Sequence, residues 1–152
     1  MPPRPPTGRA AFGSLLSRAY RQWRRAADLR LHPFDLTEAT WLPLVYIGRA
    51  STPPRQKDLA ASMFVDNSSV VRLLDNLENA GLIQRKEGET DRRAKIILLT
   101  PRGKAIAEKV ESVARRVRTD ALAGLSEKDI ETTIRVLDNV CRALDPTPEA
   151  VP

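Results

Sequence analysis

Apolar residues recur every three or four positions through most of this chain, and the rhythm changes only near residues 82 to 99, where two short apolar runs flank a charged stretch. On a helical wheel the segment Asn67 to Ala80 separates into two faces: Val70, Val71, Leu73, Leu74 and Leu77 on one, Ser68, Ser69, Arg72, Asn76 and Asn79 on the other. The first face is built to pack on a core. Gly81 follows the last periodic residue, where a glycine in the left-handed conformation ends a helix. Leu82-Ile83-Gln84-Arg85-Lys86 then predicts a short strand and Lys95-Ile96-Ile97-Leu98-Leu99 a second, joined by the polar loop Glu87 to Ala94. Two short helical patterns followed by a hairpin make the layout of a winged helix-turn-helix, here from Arg55 to Lys104.

The flanks carry longer helical patterns. Phe12, Leu15, Leu16, Ala19, Tyr20, Trp23, Ala26 and Ala27 form a broad apolar stripe on a first helix. Thr100 and Pro101 suit a cap and first helical position, opening a helix with Ile106, Val110, Val113 and Val117 on one face. Gly124 and Ser126 break it, and a last helix sets Ile130, Ile134, Leu137, Cys141 and Leu144 at four-three spacing, a heptad seam. Helices outside a small winged domain need apolar cover, and a second copy of the chain is the simplest source. The predicted fold is therefore mainly α with a small β-wing: a winged helix-turn-helix at 37–104, flanking helices at 10–36 and 105–145 forming an α-helical dimerisation region, a disordered lead-in at 1–9, and a frayed tail at 146–152 after Asp145-Pro146.

The polar face of the Asn67 to Ala80 helix suits a DNA groove, because hydroxyls and amides bond phosphates or base edges and an arginine bonds guanine with two parallel contacts. Asn67, Ser68, Ser69, Arg72 and Asn76 are the candidates there, against the plain alternative of a solvated helix face. On the wing the candidates are Arg85, Asp91, Arg92, Arg93 and Lys95. Asp91 is expected to pair with a neighbouring arginine and fix its direction, leaving Arg92 or Arg93 free to enter a narrow minor groove; the alternative is an ordinary charged hairpin. Asp66 or Asn67 supplies the N-cap of the reading helix.

Charge changes this picture little but gives it a side. The formal net charge is +6, with the basic excess in the amino-terminal arm and the helix-turn-helix, while residues 105–152 are net negative. Such asymmetry favours a polyanion on one side of the molecule. Arg18, Arg21, Arg24 and Arg25 fit a solvated helix face better than a polyanion contact. No apolar run approaches the ~20 residues of a membrane span, and the Pro-rich start has no signal-peptide character. A single cysteine, Cys141, excludes a disulfide framework and a multi-cysteine zinc site, pointing to a reducing cytoplasm. Its place on the seam makes it a small buried hydrophobe rather than a reactive thiol. An enzyme finds little support: any Ser-His or Cys-His arrangement would depend on His32, no glycine-rich phosphate loop occurs, and no cofactor or metal is called for. An RNA-binding or architectural protein, basic but without sequence specificity, is the competing class.

Gly81-Leu82-Ile83 with Arg85, then Asp91-Arg92-Arg93-Ala94, then Leu98-Leu99-Thr100 and Gly103, resembles the signature of MarR-type bacterial transcriptional regulators. Val71-Arg72 with Leu74, Asp75 and Leu77, the run Asp91 to Lys95, and Leu36-Thr37-Glu38-Ala39-Thr40-Trp41 are closest to the SlyA branch, and the likeness spans residues 12 to 144. It implies a homodimeric repressor or activator on a near-palindromic double-stranded DNA operator, with Ser68, Ser69 and Arg72 in the major groove and Arg92 in the minor groove. It also implies release by a small aromatic carboxylate in a pocket between the first, second and fifth helices, where Trp23, His32 and Trp41 are the residues to consider. One departure stands out. The family often carries glycine in the helix-turn-helix turn where this chain has Phe64, so either the turn is built differently or Phe64 is strained.

Overall fold

The computed structural model describes residues 7–145; the start of the expected lead-in and the expected tail lie outside them. Six helices and one hairpin come in this order: α1 Phe12–Leu31, α2 Glu38–Arg49, α3 Gln56–Met63, α4 Asn67–Asn79, β1 Ile83–Glu87, β2 Lys95–Leu99, α5 Pro101–Leu122 and α6 Glu127–Ala143. Residues Gly8–Ala11 form a 3-10 turn before α1, and this turn begins within the last two residues of the expected lead-in. The strands pair antiparallel from Ile83 opposite Leu99 to Glu87 opposite Lys95. The architecture is the mainly helical winged helix that the sequence predicts.

The described residues fall into two compact units, divided between Val117 and Arg118. In the first unit one core joins Leu44 and Ile47 of α2, Leu59 and Ala60 of α3, Val70, Leu74 and Leu77 of α4, and Leu82, Ile83 and Ile97 of the wing. Each buried aliphatic side chain here contributes roughly 1.5–3 kcal/mol, so the hairpin and the reading helix are held by the same apolar contacts. A second core joins Ala27 and Leu31 of α1, Leu36, Trp41 of α2, and Val110, Val113 and Val117 of α5. The valine stripe of α5 is thus covered within the chain, whereas the sequence suggested that a second copy would be needed to cover it. The reason is that the carboxy-terminal half of α1 and the start of α2 supply an apolar surface of their own, and packing continues across residues 36 and 104.

The other two stripes stay open. Phe12, Leu15, Leu16, Tyr20 and Trp23 on α1 are all exposed, and α6, in the second unit, buries no residue. Cys141 is accordingly exposed in the single chain, not buried as its seam position suggested.

One junction fixes the reading helix to the wing and to α5. Gly81 adopts φ 73°, and the Leu82 and Gly81 amides donate to Leu77 and Glu78 carbonyls at 3.0 and 2.9 Å, closing α4 in a Schellman turn. Thr100 Oγ1 donates to the Gly81 carbonyl (2.6 Å) and accepts from the Gly103 amide (3.0 Å). A Cβ on Gly103 would overlap the Leu82 carbonyl, so only glycine lets α5 start this close to the root of the wing.

Candidate nucleic-acid interface

The reading helix begins at Asp66, which settles its N-cap. The Asp66 carboxylate accepts from the Ser69 amide at 2.7 Å and from the Ser69 hydroxyl at 2.9 Å. The Ser69 backbone amide and then its hydroxyl hold Asp66 below the usual carboxylate range. Ser69 therefore spends its hydroxyl on the cap, a use the wheel does not reveal. Asn67, Ser68, Arg72 and Asn76 are exposed, and Arg72 has no hydrogen bond or ion pair among the described residues. Val71, expected in the core, is 36 % exposed. At about 100° per residue it lies a quarter turn from the buried Val70–Leu74–Leu77 stripe, so the packing face is narrower than the wheel suggests.

Ahead of α4 the turn contains Phe64 at φ 54°, ψ 42°. The turn is built as a glycine would build it, and the phenylalanine carries the left-handed conformation, at a cost of roughly 1–2 kcal/mol.

On the wing, Asp91 does not orient a guanidinium. Its Oδ1 accepts from the Arg93 backbone amide at 2.9 Å, while Ala94 N–H donates to Asp91 O (3.1 Å) and Gly88 N–H to Ala94 O (3.0 Å). A short aspartate side chain reaches an amide two residues on more readily than a neighbouring guanidinium that extends away from it. The tip is thereby fixed through its backbone, and Arg92 stands exposed without an ion pair among the described residues. Arg85 is engaged within the chain: its Nε donates to Glu78 at 2.8 Å and its Nη2 to Asp75 and Glu78 at 2.5 and 2.6 Å. The hydrogen bond that Arg85 donates to Asp75, with Glu78 behind it, raises the Arg85 pKa above its already high value. This clamp ties β1 to α4.

The wing also meets α3. The Ile97 amide donates to the Pro54 carbonyl at 2.9 Å, and Arg55 forms a β-bridge with Ile96. Between them lies an open hollow of about 510 Å³ lined by Arg55, Gln56, Lys57, Asn67, Asp91, Arg93, Ala94 and Lys95. Four cations line it against one carboxylate. Arg55 is aimed by Asp58, to which Nε and Nη2 donate at 2.8 and 3.1 Å; this pairing raises the Arg55 pKa and lowers that of Asp58. Arg55 and Lys57 were missed as site residues because nothing in their local pattern says that the start of α3 will sit beside the wing. Asn67, Arg93 and Lys95 were anticipated, and the fold brings them together there.

None of Trp23, His32 and Trp41 lines the hollow that the described residues of α1 and α2 form. Trp41 is 4 % exposed, with its indole N–H donating to Asp28 Oδ1 at 3.2 Å. Trp23 is accessible on α1, and His32 lies exposed in a 3-10 turn. A hollow of about 350 Å³ on α1 and α2 is lined instead by Tyr20, Arg21, Arg24, Arg25, Asp28 and Glu38. Within it Arg24 pairs with Glu38 and lies 5.2 Å from the Tyr20 ring centroid, so this arginine is more than a solvated face. Among the described residues no helix is long and apolar enough to cross a membrane.

The arrangement has known counterparts. A family model described as MarR family matches residues 34–94, from the turn before α2 through the wing tip. A transcriptional regulator, PA3341, is 38 % identical, with 90 % of this chain and 99 % of that chain covered at a TM-score of 0.85. MepR from S. aureus, in a structure of its DNA complex, is 27 % identical over 88 % of this chain and 98 % of its own, at a TM-score of 0.76. CouR from Rhodococcus jostii RHA1, bound to p-coumaroyl-CoA, is 26 % identical over 91 % and 95 %, at 0.78. With the matched winged core and a relative 38 % identical aligned over nearly its whole length, the chain belongs to the MarR family of transcriptional regulators.

Proposed function

We propose that this chain acts as a homodimer on a near-palindromic operator, reading double-stranded DNA with α4 and the wing, and leaves it when a small aromatic ligand binds. The strongest support is the cationic hollow between α3, α4 and the wing, continuous with a helix face on which Arg72 is unpaired among the described residues. Arg55, Lys57, Arg93 and Lys95 hold phosphates, which sets register without reading sequence. Asn67, Ser68, Arg72 and Asn76 enter the major groove, with Arg72 on a base edge. Arg92 reaches the minor groove, where a narrow A·T-rich tract concentrates negative potential. Ser69, Asp91 and Arg85 act as positioning residues, the first through the α4 cap, the second through the Arg93 amide at the wing tip and the third through its clamp on Asp75 and Glu78.

The dimer is supported by the open stripes of α1 and α6, which a second copy covers by two-fold pairing. The similarity to CouR supports a regulatory ligand site between α1, α2 and α5. The accessible Trp23 and His32 border that site, the arginines of α1 suit a carboxylate, and Trp41 serves as its floor from within the core. Placement in the SlyA branch and in the cytoplasm belongs to the same proposal.

Binding-site selection with wild-type protein on random duplexes, followed by competition with excess random DNA, tests this. A selected near-palindrome that survives the competitor is expected. Equal displacement by random DNA would favour an architectural protein.

A further inference from the structure

Phe64 combines two costs at one position: a left-handed backbone at φ 54° and a ring that is 95 % exposed, the most open of the large apolar side chains among the described residues. Glycine would remove both. A strained residue held in place by its surroundings is a reason to look for a role, and the neighbours indicate which one. Val65, next in sequence, packs on the core, while Asp66 caps α4 and Asn67 lines the cationic hollow. Phe64 therefore stands in the turn that leads into α4, two residues ahead of its cap and three ahead of Asn67 in the cationic hollow. Ala61 and Ser62, behind it on α3, are exposed but small. A protein partner would want a wider apolar surface here, whereas DNA offers isolated apolar faces amid negative charge.

Resting on the DNA-binding proposal above, we infer that Phe64 packs its ring on an apolar face of the DNA at the lip of the major groove, either a deoxyribose or a thymine methyl. Both faces are uncharged, so the contact adds affinity without adding counterion release.

The test compares wild type with Phe64→Gly and Phe64→Asn on the duplex selected by wild-type protein, with thermal melting alongside. Both replacements tolerate the left-handed conformation, so both fold. Phe64→Gly is expected to melt higher than wild type yet bind roughly 5- to 10-fold more weakly, the loss of about one apolar contact. The loss should be the same at every salt concentration, while the control Arg92→Ala changes the salt slope by about one. Replacing thymines by deoxyuridine one at a time separates the two faces. A wild-type loss that vanishes in Phe64→Gly assigns the methyl, and no loss at any position, with Phe64→Gly still weaker, assigns the sugar. Equal binding by Phe64→Gly and wild type, or a Phe64→Gly loss that changes with salt, overturns the inference and leaves the DNA-binding proposal standing. Wild-type protein that selects no duplex overturns that proposal itself.

Discussion

Leu74 of α4 and Ile134 of α6 both sit on the apolar stripe of an amphipathic helix, yet Leu74 is fully buried and Ile134 is 62 % exposed. The winged region closes its apolar core within one chain and leaves its polar groups, Arg72, Lys57 and Arg92 among them, facing outward. The outer helices do the reverse. The amino-terminal half of α1 leaves Phe12, Leu15, Leu16, Tyr20 and Trp23 exposed, and α6 buries no residue. A polar surface on a finished core asks for a polar or charged partner, and an apolar stripe on an unfinished one asks for an apolar partner. DNA fits the first and a second copy fits the second.

The strongest way to break this contrast is to charge the seam. Ile134→Asp with Leu137→Asp should give a monomer by light scattering and weaken operator binding by on the order of 100-fold or more, since two half-sites are then no longer engaged by one particle. A variant that remains a dimer would show that α6 does not supply the interface. A matched pair of truncations sharpens the point. Leu74→Ala should cost about 2–5 kcal/mol, independent of protein concentration in a denaturant titration. Ile134→Ala should cost much less at low concentration, and its effect should grow as dimer forms. Equal, concentration-independent losses would erase the distinction between the two regions.

Gly103→Ala probes how the wing root and α5 are joined. Its Cβ would overlap the Leu82 carbonyl, so the start of α5 must shift, at a cost of about 1–3 kcal/mol. Unchanged melting would mean that the junction yields freely.

The smallest effect expected is electrostatic and local. Asp66 has a depressed pKa in the folded chain, so its cap stabilises the fold above the ordinary carboxylate range and is lost as pH falls toward the depressed value. An asparagine at this position would cap without titrating. The melting temperature of wild type should therefore fall relative to that of Asp66→Asn as pH drops below ~4. A constant offset down to low pH would contradict the cap assignment.

The features that the sequence discloses and those that it hides divide along physical lines. Periodicity and punctuation located α4, both strands, the Gly81 stop and the Thr100-Pro101 start to within a residue or so, because those signals are local. They also marked the polar face of α4, since that face is the complement of the buried one. The side-chain commitments escaped them. Ser69 serves the cap, Arg85 serves Asp75 and Glu78, and Asp91 serves the Arg93 amide. Each of these is decided by distances of a few ångströms that a wheel or a charge count does not contain. The hollow joining Arg55 and Lys57 to Arg93 and Lys95 depends on β2 pairing beside Pro54 and Arg55, a tertiary event with no local signature. Phe64 shows the opposite limit: its position posed the question, and only the backbone angle answered it.

Arg72 offers the most direct test, because it is the exposed arginine, unpaired among the described residues, on the face assigned to the groove. Wild type and Arg72→Ala should be titrated against the selected operator and against duplexes changed at each base pair in turn. The variant is expected to bind about 1–3 kcal/mol more weakly and to lose base preference at one position in each half-site. A correctly folded Arg72→Ala with wild-type affinity and wild-type preference at every position would contradict the assignment of α4 as the reading helix.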